Sequence, residues 1–409
     1  FYMFVGGENY ENIGIHGRRH DWQAPLTPDG KKRPHYEKIQ HLGKMLNVYG
    51  HYLSDTKPEV DLYLGFYPDY YMTDYQDVHT EPVMKTIQDE RERFMHDGIA
   101  RGLRLKNYIF DACNLLEDGD INPQKVKHLF VFSTKWMDQD IQEKLIRYVE
   151  NGGCLVLFPT IPEMTMKNEP CTLLKDYIGV AIEGYKYNGF AKVNDLDNIK
   201  YNRVEIYRNV DGVFAWTEDG NEPIAFSKQS GKGKLIVFGL ATEFDFNYKF
   251  EIIEHLTNIG QISKRFDLEE EIDITVRTHE EGRKFFFLTN FDEYPKVSSI
   301  GYKGNKLFAG KKIYVPPRTG LILPFHIQIC EDLFLESSTG EFTNLHVNNN
   351  CLHLTIHIVQ EEEEIVVISD QWVPERVDHR VSVEKIDASS YRIKVRSDQT
   401  YEQLVFKKQ

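Results

Sequence analysis

The hydrophobic pattern of this chain changes period at about Asp267, and that change limits the folds open to it. Before this point, short apolar runs alternate with segments whose apolar residues recur at helical spacing. Beyond it the helical period is gone, and apolar residues alternate with polar ones. Alternating strands and helices build a mainly parallel sheet with helices on both faces, whereas period-two runs bounded by turns build antiparallel sheets. The expected fold class is α/β plus all-β.

Within residues 58–266 the expected strands are 60–66, 108–112, 128–133, 154–158 and 235–238. Helices are expected over 84–102 and 250–259. A further helix follows Asp138, which is placed to cap it; Ile141, Leu145, Tyr148 and Val149 share its face, and Asn151-Gly152-Gly153 stops it. Residues 267–329 read as a small antiparallel domain built from 272–277, 284–291 and 312–323. Residues 330–409 carry more alternating strands, as a second β unit or a continuation of the first.

The first 57 residues follow neither pattern. Phe1 to Val5 is a continuous apolar run stopped by Gly6-Gly7, which suits a strand covered on both faces. One strand cannot cover itself, so the rest of its domain is expected on a missing upstream segment or another chain. Residues 11–34, rich in Gly, His, Arg and Pro, read as a long loop. Pro34 then opens a helix with Ile39, Leu42, Leu46 and Tyr49 on its expected inner face.

Two segments here resemble a known family. Tyr2-Met3-Phe4-Val5-Gly6-Gly7-Glu8-Asn9-Tyr10 is similar to the last barrel strand of glycoside hydrolase family 35 β-galactosidases, Tyr-Met-Phe-x-Gly-Gly-Thr-Asn-Phe. His20-Asp21-Trp22-Gln23-Ala24-Pro25-Leu26 resembles that family's following Tyr-Asp-Tyr-Asp-Ala-Pro-Leu. Glu8 stands where Thr is usual, His20 where Tyr is usual, and Trp22 and Gln23 replace Tyr and Asp. The resemblance implies that residues 1–57 are the last strand, loop and helix of a TIM barrel. It also implies that the two catalytic glutamates of a retaining glycosidase lie upstream, so no catalytic residue is expected in this chain. By the same resemblance Tyr2 and His20 line a galactose pocket.

A second resemblance lies in Tyr148-Val149-Glu150-Asn151-Gly152-Gly153-Cys154-Leu155-Val156, similar to the Tyr-Val-x-x-Gly-Gly-x-Leu-Val of the trimerisation domain in family 42 β-galactosidases. It implies a flavodoxin-like or amidotransferase-like domain without amidotransferase activity, and a homo-oligomer. The function implied is the C-terminal portion of a retaining β-galactosidase acting on terminal β-galactosides. The alternative is a carbohydrate-binding or assembly module.

Read as chemistry, Glu8 is a substrate contact or a loop residue. Glu8 and Glu11, three apart, could serve as an acid and a base. Trp22 is a stacking platform for a sugar ring or packs beneath the loop; Tyr2 lines the pocket or the strand's core. His16, His20, Asp21 and His35 lie close together but lack metal-ligand spacing, so neither a metal nor a cofactor is expected. Cys154 starts a strand instead of sitting at the strand-to-helix elbow that a nucleophile needs. Glu243 near a strand end has no expected partner, and Glu361 to Glu364 read as a solvated edge that discourages strand pairing. A net charge of −14 argues against nucleic acid or an anionic membrane as partner. Five scattered cysteines fit free thiols in a reducing compartment, hence the cytoplasm.

Overall fold

A computed structural model of the chain describes residues 3–10, 19–20, 23–72, 76–348, 350–376 and 379–409. The chain divides into two units. One is Glu59–Asp267 with Gly301–Asn305; the other comprises Phe1–Pro58, Leu268–Ile300 and Lys306–Gln409.

The first unit is an α/β domain around a ten-stranded sheet. Half of it is parallel, in the order Phe110–Asn114, Leu62–Phe66, His128–Ser133, Cys154–Pro159, Gly233–Phe238. Every residue of His128–Ser133 and Cys154–Pro159 is buried, as unbroken apolar runs require when both faces are covered. The helix Gln139–Glu150 buries Ile141, Leu145, Tyr148 and Val149. Asp138 makes no cap hydrogen bond with its side chain. Its carboxylate instead accepts from the Met166 N–H at 2.8 Å and the Tyr67 hydroxyl at 3.2 Å. The helix ends where Gly152 adopts φ 108° and the Gly153 N–H returns to the Tyr148 carbonyl at 3.0 Å. A Cβ on Gly153 would lie 2.2 Å from the Tyr148 ring, so only glycine fits there.

The expectation of strand–helix alternation throughout this unit is corrected in its second half. Beyond Gly233–Phe238 the sheet runs antiparallel through Pro223–Ser230, Val213–Thr217, Ala181–Val193, Leu196–Arg208 and Leu240–Ala241. Ala181–Val193 and Leu196–Arg208 form a long hairpin that turns at Asn194-Asp195, with Asn194 at φ 49°. Most of Ala181–Val193 is at least partly exposed, so its sequence carries no buried apolar run to mark it. Cys154 opens its strand after Gly153 and is buried. Burial pushes its thiol up to about 11, the opposite of what an activated nucleophile needs.

The second unit is built on antiparallel sheets. An eight-stranded sheet runs in the order Val381–Lys385, Ser390–Val395, Glu363–Ile368, Leu333–Ser338, Thr319–Cys330, Lys284–Asn290, Asp273–Thr278, Lys57–Pro58. A four-stranded sheet runs Phe342–Val347, Cys351–His357, Tyr401–Lys408, Trp372–Pro374. A boundary at residue 330 thus falls at the end of a strand, Thr319–Cys330, that pairs onward with Leu333–Ser338. Phe285, Leu335, Phe342, Ile356, Ile365 and Phe406 join one core.

Helix Tyr36–Leu53 lays Met45, Val48 and Tyr49 on that core. Its inner face is displaced from the expected one: Tyr49 is buried, but Leu42 and Leu46 are 36% and 44% exposed. The Phe342 N–H donates to the Tyr49 hydroxyl at 2.7 Å, which fixes the helix with Met45 and Val48 inward.

Phe4 and Val5 are each 45% exposed, and Val5 makes an isolated bridge to Leu26, so among the described residues this apolar run is left uncovered by the chain itself. One further expectation fails in this unit. The Glu361–Glu364 run is not a solvated edge. Glu363 and Glu364 belong to Glu363–Ile368, a strand paired on both sides, and Glu363 is fully buried. Burial raises the Glu363 carboxyl, and it is accommodated by the Thr339 hydroxyl (2.6 Å), the Gln360 amide (2.9 Å) and the Val359 N–H (3.1 Å). Among the described residues no helix is long and apolar enough to cross a membrane.

Candidate functional site

The residues expected at a sugar pocket are only partly within the described structure. Gly7–Glu8 pairs with Arg19–His20 in antiparallel register, Gly7 opposite His20 and Glu8 opposite Arg19. This brings the Glu8 and His20 backbones to neighbouring positions of one short ribbon, with the Glu8 side chain exposed. Tyr2, Trp22, Glu11, His16 and Asp21 lie outside the described residues. His35 is engaged by the Gln23 carbonyl at 2.8 Å. Glu243, expected to have no partner, accepts from the Asn202 amide at 3.2 Å and faces Arg93 at 3.6 Å.

The most developed polar constellation in the β unit was not singled out in the sequence. A cavity of about 650 Å³ is lined by His41, Met45, Ile322, Glu341, His357 and Tyr401, among others. His41 comes from the helix Tyr36–Leu53, Glu341 directly precedes the strand Phe342–Val347, His357 ends Cys351–His357 and Tyr401 starts Tyr401–Lys408. Glu341 is 3% exposed. Its Oε2 lies 2.8 Å from His41 Nε2 and 3.5 Å from His357 Nδ1, while its Oε1 accepts from the Ile322 N–H at 2.7 Å. On the far side of the His41 ring, Nδ1 meets the Tyr401 hydroxyl at 3.2 Å. Burial alone would raise the Glu341 carboxyl. His357, His41 and the Ile322 N–H outweigh it and hold the group below the ordinary glutamate range, ionised at neutral pH. His41 and Glu341 are 300 residues apart. No local spacing could have joined them.

The α/β unit holds a buried carboxylate of another kind. Glu205 is fully buried and accepts from the Tyr207 hydroxyl at 2.8 Å and the Ile161 N–H at 3.0 Å. Burial pushes its carboxyl up to about 7. The neighbouring Arg203 pairs with Glu90 at 2.8 Å.

Comparison with known proteins adds family context. Residues 78–213 match the family described as GLMA-like, second domain. The chain is 26% identical to a β-1,2-glucosyltransferase of Ignavibacterium album over 74% of this chain and 45% of that protein. It is 27% identical to an exo-β-D-glucosaminidase of Thermococcus kodakarensis, over 80% of this chain and 43% of the relative. The chain thus spans less than half the length of the curated relatives it matches. Among solved structures, a GH42 β-galactosidase from G. stearothermophilus superposes with a TM-score of 0.60 at 12% identity, covering 79% of this chain and 47% of that one. A β-galactosidase from Bacillus circulans sp. alkalophilus gives 0.57 at 15% identity, covering 77% and 48%. The chain is related in sequence to part of a group of glycoside-processing enzymes, and its fold is shared with part of the family 42 β-galactosidases.

Proposed function

We propose that this chain is the C-terminal portion of a retaining glycosidase that releases terminal β-linked sugars, with β-galactosides as the substrate its first motif implies. The observation that carries the reading is the match to glycoside-processing enzymes over 74% and 80% of the chain, which occupies only 45% and 43% of their lengths. On this reading residues 1–57 close a TIM barrel whose upstream part supplies the acid and the nucleophile, two carboxyls about 5–5.5 Å apart. The exposed Phe4, Val5, Leu42 and Leu46 are apolar surface that such a barrel would cover. Residues 58–266 form the trimerisation-type domain of a homo-oligomer, and 267–409 form the β domains. The contribution of this portion is one pocket wall, with Tyr2, Glu8, His20 and Trp22 toward the sugar, together with assembly. A reducing, cytoplasmic setting suits its five unpaired cysteines.

Glu8 favours a second reading on the sugar. It places an exposed carboxylate where the family 35 pattern has threonine. A carboxylate suits the 2-ammonium of a β-glucosaminide, the sugar in the name of the Thermococcus relative.

The test is turnover of 4-nitrophenyl β-galactoside and β-glucosaminide by the full-length parent and by this chain alone. The parent is expected to hydrolyse the galactoside with retention, and the isolated chain neither substrate. A parent that prefers the glucosaminide, and loses that preference on Glu8→Thr, establishes the second reading. Turnover by the isolated chain, abolished by Glu8→Gln or Glu11→Gln, would overturn the upstream catalytic pair. Light scattering of the parent is expected to show an oligomer; a monomer at micromolar concentration would remove the assembly role.

A further inference from the structure

We propose that His41, Glu341 and His357 form a zinc site that ties the helix Tyr36–Leu53 to the four-stranded sheet of the same unit. Each of the three offers one ligand atom, and these atoms all lie within 4.8 Å of one another; His41 Nε2 and His357 Nδ1 both face Glu341 Oε2. Zinc bonds to imidazole nitrogen and carboxylate oxygen are about 2.0–2.2 Å long, so tetrahedral ligands stand roughly 3.3–3.5 Å apart. The observed separations from Glu341 Oε2, 2.8 Å to His41 and 3.5 Å to His357, bracket that distance. An ion needs only small side-chain movements to sit among them.

The donor chemistry agrees. Two imidazoles and one carboxylate are a zinc set that leaves a fourth position for water. The cluster borders the cavity of about 650 Å³, which has room for that water. The surroundings are those of oriented ligands. Where His41 binds metal through Nε2, its Nδ1–H points to the Tyr401 hydroxyl, and the free oxygen of Glu341 is already fixed by the Ile322 N–H. His357 Nδ1 is a buried nitrogen with no hydrogen-bond partner of good geometry, as an unused ligand would be. Lys44, whose ammonium sits 5.6 Å from the centre of the Tyr401 ring, and Lys38 and Arg318, which line the cavity, are the cations of this neighbourhood among the described residues; none is a ligand. The ligands come from the helix, from the residue that leads into Phe342–Val347 and from the end of Cys351–His357, so the ion acts as a second polar clamp beside the Tyr49–Phe342 hydrogen bond.

The experiment uses the whole chain, stripped with EDTA and titrated with ZnCl₂ by calorimetry, with Co²⁺ as a spectroscopic substitute. The expected result is one zinc per chain, a melting temperature that rises with zinc and falls with EDTA, and the intense visible bands of four-coordinate Co²⁺. His357→Gln and His41→Asn should each weaken binding by more than the roughly 10–100-fold typical of losing an outer-shell partner. His346→Gln, a change at an exposed histidine, should leave it intact. Zinc binding that is absent in the wild-type chain overturns the site, as does binding equally weakened by His346→Gln or unchanged by His357→Gln. If the variants fail to fold, the wild-type titration and its Co²⁺ spectrum decide the matter alone.

Discussion

Glu205 in the α/β unit and Glu341 in the β unit are both nearly removed from solvent, at 0% and 3% exposure, yet their carboxyls move in opposite directions. Glu205 is pushed up to about 7, and Glu341 is held below the ordinary range. Burial acts the same way on both. The difference lies in their partners: phenols, a backbone N–H and the guanidinium of Arg203, itself paired with Glu90, for Glu205; two imidazoles and a backbone N–H for Glu341. Neutral donors and a cation already paired elsewhere soften the loss of water around a charge without reversing it, whereas the two imidazoles beside Glu341 do reverse it. Depth alone does not set what a carboxylate does; the chemistry within reach does.

The largest test of this contrast is Glu341→Ala, measured in EDTA. Removing this carboxylate leaves the Ile322 N–H and the His41 Nε2 without their shared acceptor, at about 1–3 kcal/mol for each buried polar group left unsatisfied. A urea midpoint close to wild type would show that the imidazoles do not depend on this carboxylate. The pH dependence has a definite sign. A carboxyl depressed in the fold contributes stability above its unfolded value, and that contribution is lost as the pH falls through the folded value. The Glu341 contribution should therefore vanish under acid conditions.

Glu205→Gln should act in the reverse sense. A carboxyl raised from 4.5 to about 7 makes folding less favourable as the pH climbs between those values. The substitution should stabilise the protein by about 1–3 kcal/mol at pH 8, with the gain shrinking to nothing below pH 4.5. Thermal melts at the two pH values measure it, and a pH-independent effect would refute the assignment. Glu363 sharpens the comparison because it lies in the β unit but has only neutral donors. If partner chemistry decides, Glu363→Gln should gain stability at high pH as Glu205→Gln does. The gain should be smaller, about 1 kcal/mol or less, because more donors satisfy this carboxylate. A loss of stability that grows as the pH rises would mean that the unit, and not the partners, sets the direction.

The same residues show how far the sequence could be read. The parallel core was legible because His128–Ser133 and Cys154–Pro159 are continuous apolar runs, and such runs have few other uses. The hairpin of Ala181–Val193 and Leu196–Arg208 was not, because strands with an exposed face and positive-φ asparagines read as loop. Glu363 was read as solvated because a run of four glutamates normally is; only the fold reveals the hydroxyl and amides that receive it. The helix 36–53 was legible as a helix, but its inward face was not, since Leu42, Met45, Leu46 and Tyr49 offer two adjoining apolar stripes and the choice between them is made by a partner at Phe342. The cluster of His41, Glu341 and His357 left no trace in spacing at all.

The distance along the chain between Tyr49 and Phe342 has a consequence for synthesis. The two residues that meet across this hydrogen bond are 293 positions apart. At translation rates of roughly 5–20 residues per second, Tyr49 leaves the ribosome about 15–60 s before its partner exists. During that interval the four-stranded sheet that begins at Phe342 has not been made, and Met45, Val48 and Tyr49 lack its cover. The α/β unit, most of which is the unbroken stretch Glu59–Asp267, emerges within the interval and can fold in it. Helix 36–53 is made early and housed last, and a nascent chain stalled before Phe342 would display it to chaperones.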